Sequence, residues 1–301
     1  MELLYRFIYS PAINKVLRAL IFPFRKLLPT GAWLPPSGSV EFTLDNGKTI
    51  TMFTNQTSFV TWNITWKGYK SYEYTPIFEA LAPKINVFFD VGSNTGLYSL
   101  ILAGCNPNAK AWAFEPSPGP FEYLSRNIGA NGFNGRIHPI KTALSNQEGT
   151  AEFVSAFSPK YTYLKEATLG GSGHLSGARD NTSSLTFQVK TETLDQFVER
   201  NQITSIDLMK LDTEETEHLI IGSGLETLKK FEPILICEVF SVEMAVALGD
   251  LLKPLGYKPY QSKKTHLEAI NEVEFQSGEI PDCFFVTDAR LHLISQFIQK
   301  A

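Results

Sequence analysis

Residues 87–91 are apolar apart from one acid and show no polar alternation, the pattern of a parallel strand covered on both faces. The run carries Asp90 at its carboxyl end and opens into Gly92-Ser93-Asn94-Thr95-Gly96, and residues 97–103 then have the length and composition of a helix. A strand, a glycine turn and a helix start follow from this. The rhythm repeats downstream. Residues 109–115 predict a second strand ending in Glu115, and residues 121–128 a helix stopped by Gly129-Ala130-Asn131-Gly132. Residues 137–144 predict a third strand, placed at a sheet edge because Pro139 has no ladder donor; His138 there reads as a strand residue, not a base.

After a helix over 195–202, residues 206–212 predict a fourth strand ending in Asp212, and 213–221 a helix whose first carboxylates suit its N-terminal dipole. A fifth buried strand over 233–239 is tipped by Glu238. A helix over 242–252, strands over 257–261 and 283–287 and a helix over 289–300 close the chain.

Other stretches interrupt this alternation. Alternating residues in 40–44 and 49–53 flank Asn46-Gly47, a pair that tolerates the positive φ of a tight turn, so a β-hairpin is expected. Thr75-Pro76 predicts a short helix with Thr75 as its N-cap. Between 148 and 194, strands at 152–154 and 185–189 flank a polar insertion, 158–183, expected to shape a substrate pocket or form a lid. Its Gly170-Gly171-Ser172-Gly173 run has no helix start after it, a poor phosphate site, and His174 reads as exposed loop. The chain therefore divides into an N-terminal segment and linker (1–38), a hairpin and helix (39–84) and an α/β domain (85–301).

With 301 residues, 43% of them hydrophobic, the chain can bury a full core. A net charge of -4 gives no overall drive toward nucleic acid, and no nucleic-acid partner is expected. Cys105, Cys237 and Cys283 form neither a disulfide framework nor a metal motif, which suits a reducing, cytoplasmic setting. Three Asn-x-Ser/Thr triplets, at Asn55, Asn63 and Asn181, need a secretory route, and no cleavable signal is seen. No close His/Cys/Asp/Glu spacing supports a metal site. Residues 1–28 mix apolar residues with Arg6, Lys15, Arg18, Arg25 and Lys26 in runs too short to span a bilayer. They are read as a helix docked on the domain with its charges in water; peripheral contact with an anionic membrane surface is the alternative.

The candidate chemistry centres on the glycine turn as a nucleotide cradle. Glu115 follows Gly96 by 19 residues, the place of an acid that accepts hydrogen bonds from ribose hydroxyls. Ala143 and Leu144 would lie beside an adenine held between Asp90 and Glu115. An NAD-linked oxidoreductase uses similar parts, but its fingerprint is GxGxxG, whereas this chain has Gly92-x-Asn94-x-Gly96 with Asp90 two residues upstream.

Four segments in order, residues 90–98, 114–117, 207–214 and 234–238, resemble the FkbM-type S-adenosylmethionine-dependent methyltransferases. The resemblance covers about residues 70–290. It implies a Rossmann-like α/β fold of class I methyltransferase type, with a seven-stranded, mostly parallel sheet, a reversed last strand and helices on both faces. It implies S-adenosylmethionine as cofactor and a hydroxyl-bearing acceptor such as a sugar, glycan or natural product. Asp90, Val91, Gly92, Ser93, Asn94, Thr95 and Gly96 would surround the amino acid part of the cofactor. Glu115, with Pro116 and Ser117, would hold its ribose.

Lys210, Asp212 and Glu214 match the family's lysine-hydrophobic-aspartate-x-glutamate signature. Directly afterwards Glu215 and Thr216 stand where the family pattern has glycine then alanine, which puts two larger polar side chains near the acceptor pocket. Asp212 is the first candidate for general base or acceptor-orienting group, with Glu214 and His218 behind it and Lys210 as a partner for the carboxylate. A non-catalytic binding protein on the same fold is the other alternative.

Overall fold

The computed structural model describes residues 1–170, the backbone of 173–175, and residues 183–271 and 281–299. Helices α1 (Glu2–Ile8) and α2 (Pro11–Ile21) precede a hairpin, β1 (Gly38–Thr43) and β2 (Thr49–Thr54), and helices α3 (Phe59–Lys67) and α4 (Thr75–Leu81). The α/β alternation then runs β3 (Val87–Val91), α5 (Leu97–Cys105), β4 (Lys110–Phe114), α6 (Pro118–Ala130) and β5 (Ile137–Ile140). Strands β6 (Ala143–Leu144), β7 (Gly149–Ala156), β8 (Gly173–Leu175) and β9 (Ser184–Glu192) form a separate small sheet. The chain returns through α7 (Leu194–Arg200), β10 (Leu208–Leu211), α8 (Glu217–Gly222), α9 (Leu225–Phe231), β11 (Ile234–Glu238) and α10 (Val242–Leu252). It ends in β12 (Lys258–Ser262), β13 (Leu267–Ala269), β14 (Asp282–Val286) and α11 (Leu291–Ile294).

The main sheet has the order β13-β12-β14-β11-β10-β3-β4-β5. Strands β11, β10, β3, β4 and β5 are mutually parallel, and β14 lies antiparallel between β11 and β12. Seven of these strands are the mostly parallel set with one reversed member; short β13, paired to β12, makes the sheet eight-stranded rather than seven. Because the chain leaves β3 toward β4 and later returns to β10 on the other side, the topological switch falls between β3 and β10. Ligands in open α/β sheets bind outside the strand ends at such a point.

Both faces of the sheet are dry. Phe88, Leu100 and Ile101 pack with Phe78 and with Ile50 and Met52 of the hairpin, while Phe89, Phe114, Phe197 and Met209 pack on the opposite face. The hairpin's outer edge is closed by α6: Thr51 N donates to Asn131 Oδ1 at 2.9 Å and Phe53 N to Asn127 Oδ1 at 2.6 Å. Asn127 Nδ2 reaches on to Thr95 O at 2.9 Å, tying the hairpin to the glycine turn.

Several expectations need correction. Thr75 lies inside α4, whose cap position is Tyr74; Tyr74, stacked 4.8 Å from Tyr98, sets the helix entry by packing instead of by a side-chain cap. The third strand stops at Ile140, and Ala143–Leu144 pairs with β9 in the small sheet. The helix after β10 starts only at Glu217, because Glu214 and Glu215 adopt left-handed φ angles of 57° and 80°.

The N-terminal helices dock lightly, as a helix with its charges in water would: Ile13, Leu17 and Ile21 of α2 are half-buried, and Tyr9 between the helices is buried against Tyr161. No residue of α1 is buried, and the one buried residue of α2 is Asn14. The expected helix over 289–300 is a short α11 and a 3-10 turn, Ser295–Phe297, with residue 300 outside the described residues. Among the described residues no helix is long and apolar enough to cross a membrane. Asn55 and Asn63 are buried, which leaves no room for a glycan on either; Asn181 lies outside the described residues.

Candidate active site

Left-handed backbone recurs at alternate positions of the turn after β3, with φ of 73° at Gly92, 48° at Asn94 and 89° at Gly96. Asparagine is among the few side chains that tolerate this region. The glycines serve packing more than ligand approach. A β-carbon on Gly92 would stand 1.8 Å from the carbonyl oxygen of Asp212, and one on Gly96 would stand 2.6 Å from Leu124 Cδ1. Backbone bonds fix the turn: Gly92 N and Ser93 N both donate to Phe114 O, at 3.1 and 2.9 Å, and Asp212 N donates to Val91 O at 3.2 Å.

Glu115, at the end of β4, is buried and bridges two segments. Its Oε2 accepts from Asn94 N at 2.9 Å and its Oε1 from Ser117 N at 2.8 Å. Each oxygen retains a second acceptor site. Burial pushes its carboxyl up to about 7, against the pull of those two amides. Ser93 Oγ and Asn94 Oδ1 are buried beside it with no hydrogen-bond partner among the described residues. Such orphaned atoms are rare in a finished interior and mark a place for a ligand.

A second group converges from β10 and β11. Lys210 Nζ donates to Asp212 Oδ2 at 2.8 Å and to Gly92 O at 3.1 Å, and lies 3.9 Å from Asp90 Oδ1. Burial works to lower the Lys210 ammonium, but Asp212 and Asp90 outweigh it and hold it charged. Burial works to raise Asp212, and the Lys210 charge overrides that and keeps it ionised. Glu238 is pushed up to about 11 by burial and by Asp212, so it remains protonated and shares a hydrogen bond with that carboxylate. Burial likewise raises Glu73, whose Oε2 accepts from Tyr98 Oη at 2.8 Å.

These elements enclose a cavity of about 320 Å³. Of the residues singled out from the sequence, Val91, Gly92, Ser93, Asn94, Thr95, Glu115, Pro116, Ser117, Ala143, Leu144, Lys210, Asp212 and Glu214 line it. Asp90, Gly96 and His218 do not. Asp90 lies beneath the floor, accepting from Ser99 N and Oγ at 3.2 and 2.6 Å. Gly96 is the cap position of α5, and His218 belongs to α8. Thr216 lines the cavity with its hydroxyl on Thr213, 2.9 Å from Thr213 Oγ1, whereas Glu215 does not reach it.

The 158–183 insertion contributes Thr168, Leu169 and Gly170 to the wall. It is held there by Asn55 Nδ2 on Ala167 O at 2.7 Å and Leu169 N on Thr57 Oγ1 at 2.8 Å. His174 belongs to β8, its side chain outside the described residues, as are Gly171 and Ser172. Sequence reasoning missed Tyr72 and Glu73, which also line the cavity, because no local pattern marks an acid between two tyrosines as part of a site eighteen or more residues downstream. Among the described residues no group of three or more His, Cys, Asp or Glu is arranged to hold a metal ion.

Residues 90–259, more than half of the chain, match the Methyltransferase FkbM domain family. The chain belongs to that family. It is 29% identical over 159 residues to the 31-O-demethyl-FK506 methyltransferase FkbM of Streptomyces tacrolimicus, covering 47% of this chain and 60% of that protein. It is 30% identical over 148 residues to the hexuronic acid methyltransferase AglP of Haloferax volcanii, covering 49% of this chain and 51% of that one.

The matches thus span between half and two thirds of those relatives. Among solved structures, a methyltransferase FkbM from Methylobacillus flagellatus KT aligns with a TM-score of 0.45 and 12% identity over 76% of this chain and 54% of that one. Against the FkbM pattern, the left-handed φ at Glu215 is informative. A glycine would adopt that φ without strain, whereas this chain carries there a side chain that the backbone conformation disfavours.

Proposed function

We propose that this chain is an S-adenosylmethionine-dependent methyltransferase that transfers a methyl group to a hydroxyl of a sugar, glycan or natural product. The observation that carries the reading is one cavity lined at once by the 92–95 turn, by Glu115 and by the Lys210-Asp212 pair. Two side-chain oxygens of the turn, Ser93 Oγ and Asn94 Oδ1, are buried without a hydrogen-bond partner among the described residues. Those groups fit the cofactor: acceptors on the turn for its amino acid part, spare lone pairs on Glu115 for ribose hydroxyls, and apolar Leu144 for adenine.

When bound, S-adenosylmethionine supplies a methyl already activated on a positive sulfonium, so the protein mainly aligns the acceptor and excludes water. Asp212, ionised and braced by Lys210 and Glu238, is the residue assigned to hold the acceptor hydroxyl in place. Its lowered pKa makes it a weak base; Glu73, raised by burial and by Asp212, is a second carboxyl lining the same cavity. Neutral Glu238 leaves Asp212 able to serve as an acceptor while the total charge of the floor stays low. The 31-O position in the name of the FkbM relative supports a hydroxyl acceptor here, and the hexuronic acid of the AglP relative supports a sugar.

Two measurements test the reading. Calorimetry should find S-adenosylhomocysteine bound and NAD not bound; the reverse result would replace a transferase with an oxidoreductase. Labelled methyl from S-adenosylmethionine should then pass to a fraction of sugars, glycans or small hydroxylated compounds. Asp212→Asn should cut the turnover by roughly a hundredfold or more while leaving S-adenosylhomocysteine affinity within a few-fold. Binding without transfer to any acceptor class would leave a non-catalytic binding protein.

A further inference from the structure

Helix α2 buries little of its apolar surface, with Ile13, Leu17 and Ile21 only half-buried. Its buried residue is the polar Asn14, whose Oδ1 accepts from Ser37 N at 2.8 Å and whose Nδ2 donates to Pro35 O at 3.1 Å. These bonds to the linker fix the helix's rotation, and they leave Val16 and Leu20, one turn apart, pointing to water. Leu3, Phe7, Val16, Leu20, Phe24 and Leu27 are each more than half exposed. So many large apolar side chains exposed within one short stretch mark an interaction surface, since a domain seldom leaves them uncovered.

Charge says what covers it. Residues 1–28 hold Arg6, Lys15, Arg18, Arg25 and Lys26 against the single acid Glu2, in a chain whose acids outnumber its bases by four. Lys15 and Lys26 are exposed beside the apolar stripe. Protein interfaces are depleted of lysine at their contacts, whereas helices that lie on anionic bilayers combine a leucine and phenylalanine face with a lysine and arginine fringe.

An aromatic row joins this face to the cavity. Ring centroids run from Phe22 to Trp66 at 6.0 Å, Trp66 to Trp33 at 5.7 Å, Trp33 to Trp62 at 5.5 Å and Trp62 to Phe59 at 5.9 Å. Phe59 is 60% exposed and also lines the cavity. Indoles and phenyl rings favour the level of lipid headgroups.

We propose that the exposed face of α1, α2 and the 22–28 segment docks on the surface of an anionic lipid bilayer, with the Phe59 edge of the cavity beside the headgroups. The docking stands whether or not the chain transfers methyl groups. A hydroxyl acceptor borne by a lipid would reach the cavity directly, a consequence that does rest on the transferase reading.

Sedimentation of the full chain with vesicles tests it. The chain should partition onto vesicles of phosphatidylcholine with phosphatidylglycerol, less so at high salt, and far less onto phosphatidylcholine alone. Phe7→Glu with Leu20→Glu should reduce that partition at least tenfold, and Lys15→Gln with Lys26→Gln by roughly thirtyfold. Both pairs are exposed, so tryptophan fluorescence and S-adenosylhomocysteine binding should match the unmodified chain. Absence of vesicle binding, or binding that neither pair weakens, would overturn the proposal. Self-association that Phe7→Glu with Leu20→Glu abolishes, without vesicle binding, would assign the face to a second copy of the chain.

Discussion

The carbonyl oxygen of Asp212 lies 1.8 Å from the point where a β-carbon on Gly92 would stand. The two strand ends that flank the topological switch therefore touch backbone to backbone, and the bare glycine is what lets Asp212 face the cavity. Gly92→Ala should force the turn and the β10 end apart. Overpacking costs about 1–3 kcal/mol, and a side chain at a φ of 73° adds about 1–2 kcal/mol more. Urea unfolding should register a loss of about 2 kcal/mol or more, and calorimetry a fall in S-adenosylhomocysteine affinity of at least about tenfold.

Lys210 compensates two carboxylates, Asp212 on the cavity wall and Asp90 beneath the floor. Lys210→Met should cost about 3–5 kcal/mol at neutral pH, because Asp212 and Asp90 are left without a cation. The sign follows from Asp212, whose pKa Lys210 holds below its ordinary value. That stabilisation is present above the unfolded aspartate pKa of about 3.9 and is lost as the pH falls through the lowered folded value. The gap between urea midpoints of the two proteins should be widest near neutrality and narrow in acid. An equal gap at both ends would show that Lys210 acts by packing alone.

Glu115 gives cofactor binding its own pH dependence. With its carboxyl pushed up to about 7, it is half protonated near neutrality, and only the ionised form offers all its lone pairs to ribose hydroxyls. S-adenosylhomocysteine affinity should rise as the pH passes upward through about 7 and then level off. Glu115→Gln should flatten that profile and weaken binding by about 1.5–3 kcal/mol, the range of hydrogen bonds to a charged group. Calorimetry across this range checks both effects.

Glu215, at a φ of 80°, stores backbone strain that glycine would release. The relief is about 1–2 kcal/mol, set against about 0.5–1 kcal/mol for the extra freedom of glycine in the unfolded chain. Glu215→Gly should therefore stabilise modestly, raising the melting midpoint by about 2 °C. Since the Glu215 side chain does not line the cavity, S-adenosylhomocysteine affinity should not change. A drop in the midpoint would mean that the glutamate's own contacts outweigh the strain.

What could be read in the sequence was local and periodic. Unbroken apolar runs at 87–91, 206–212 and 233–239 marked buried parallel strands, and the acids Asp90, Glu115, Asp212 and Glu238 at strand ends anticipated a polar site at one edge of a sheet. Pro139 falls on edge strand β5, as its missing donor requires. The errors arose where neighbours in space overruled local preference. Stacking of Tyr74 on Tyr98 displaced the cap expected at Thr75, and left-handed residues at 214–215 delayed the helix after β10.

The sequence by itself determined the α/β succession and the residues able to cradle a nucleotide, because strand burial, turn glycines and strand-tip acids depend on spacing along the chain. Only the tertiary structure decided which of them share a cavity. Asp90 went beneath the floor and Glu73 came in from the segment before α4. Asp212 and Lys210 settled into a charged pair beside a protonated Glu238. Those outcomes depend on burial and on charges brought together across the fold, and neither is present until the sheet has formed.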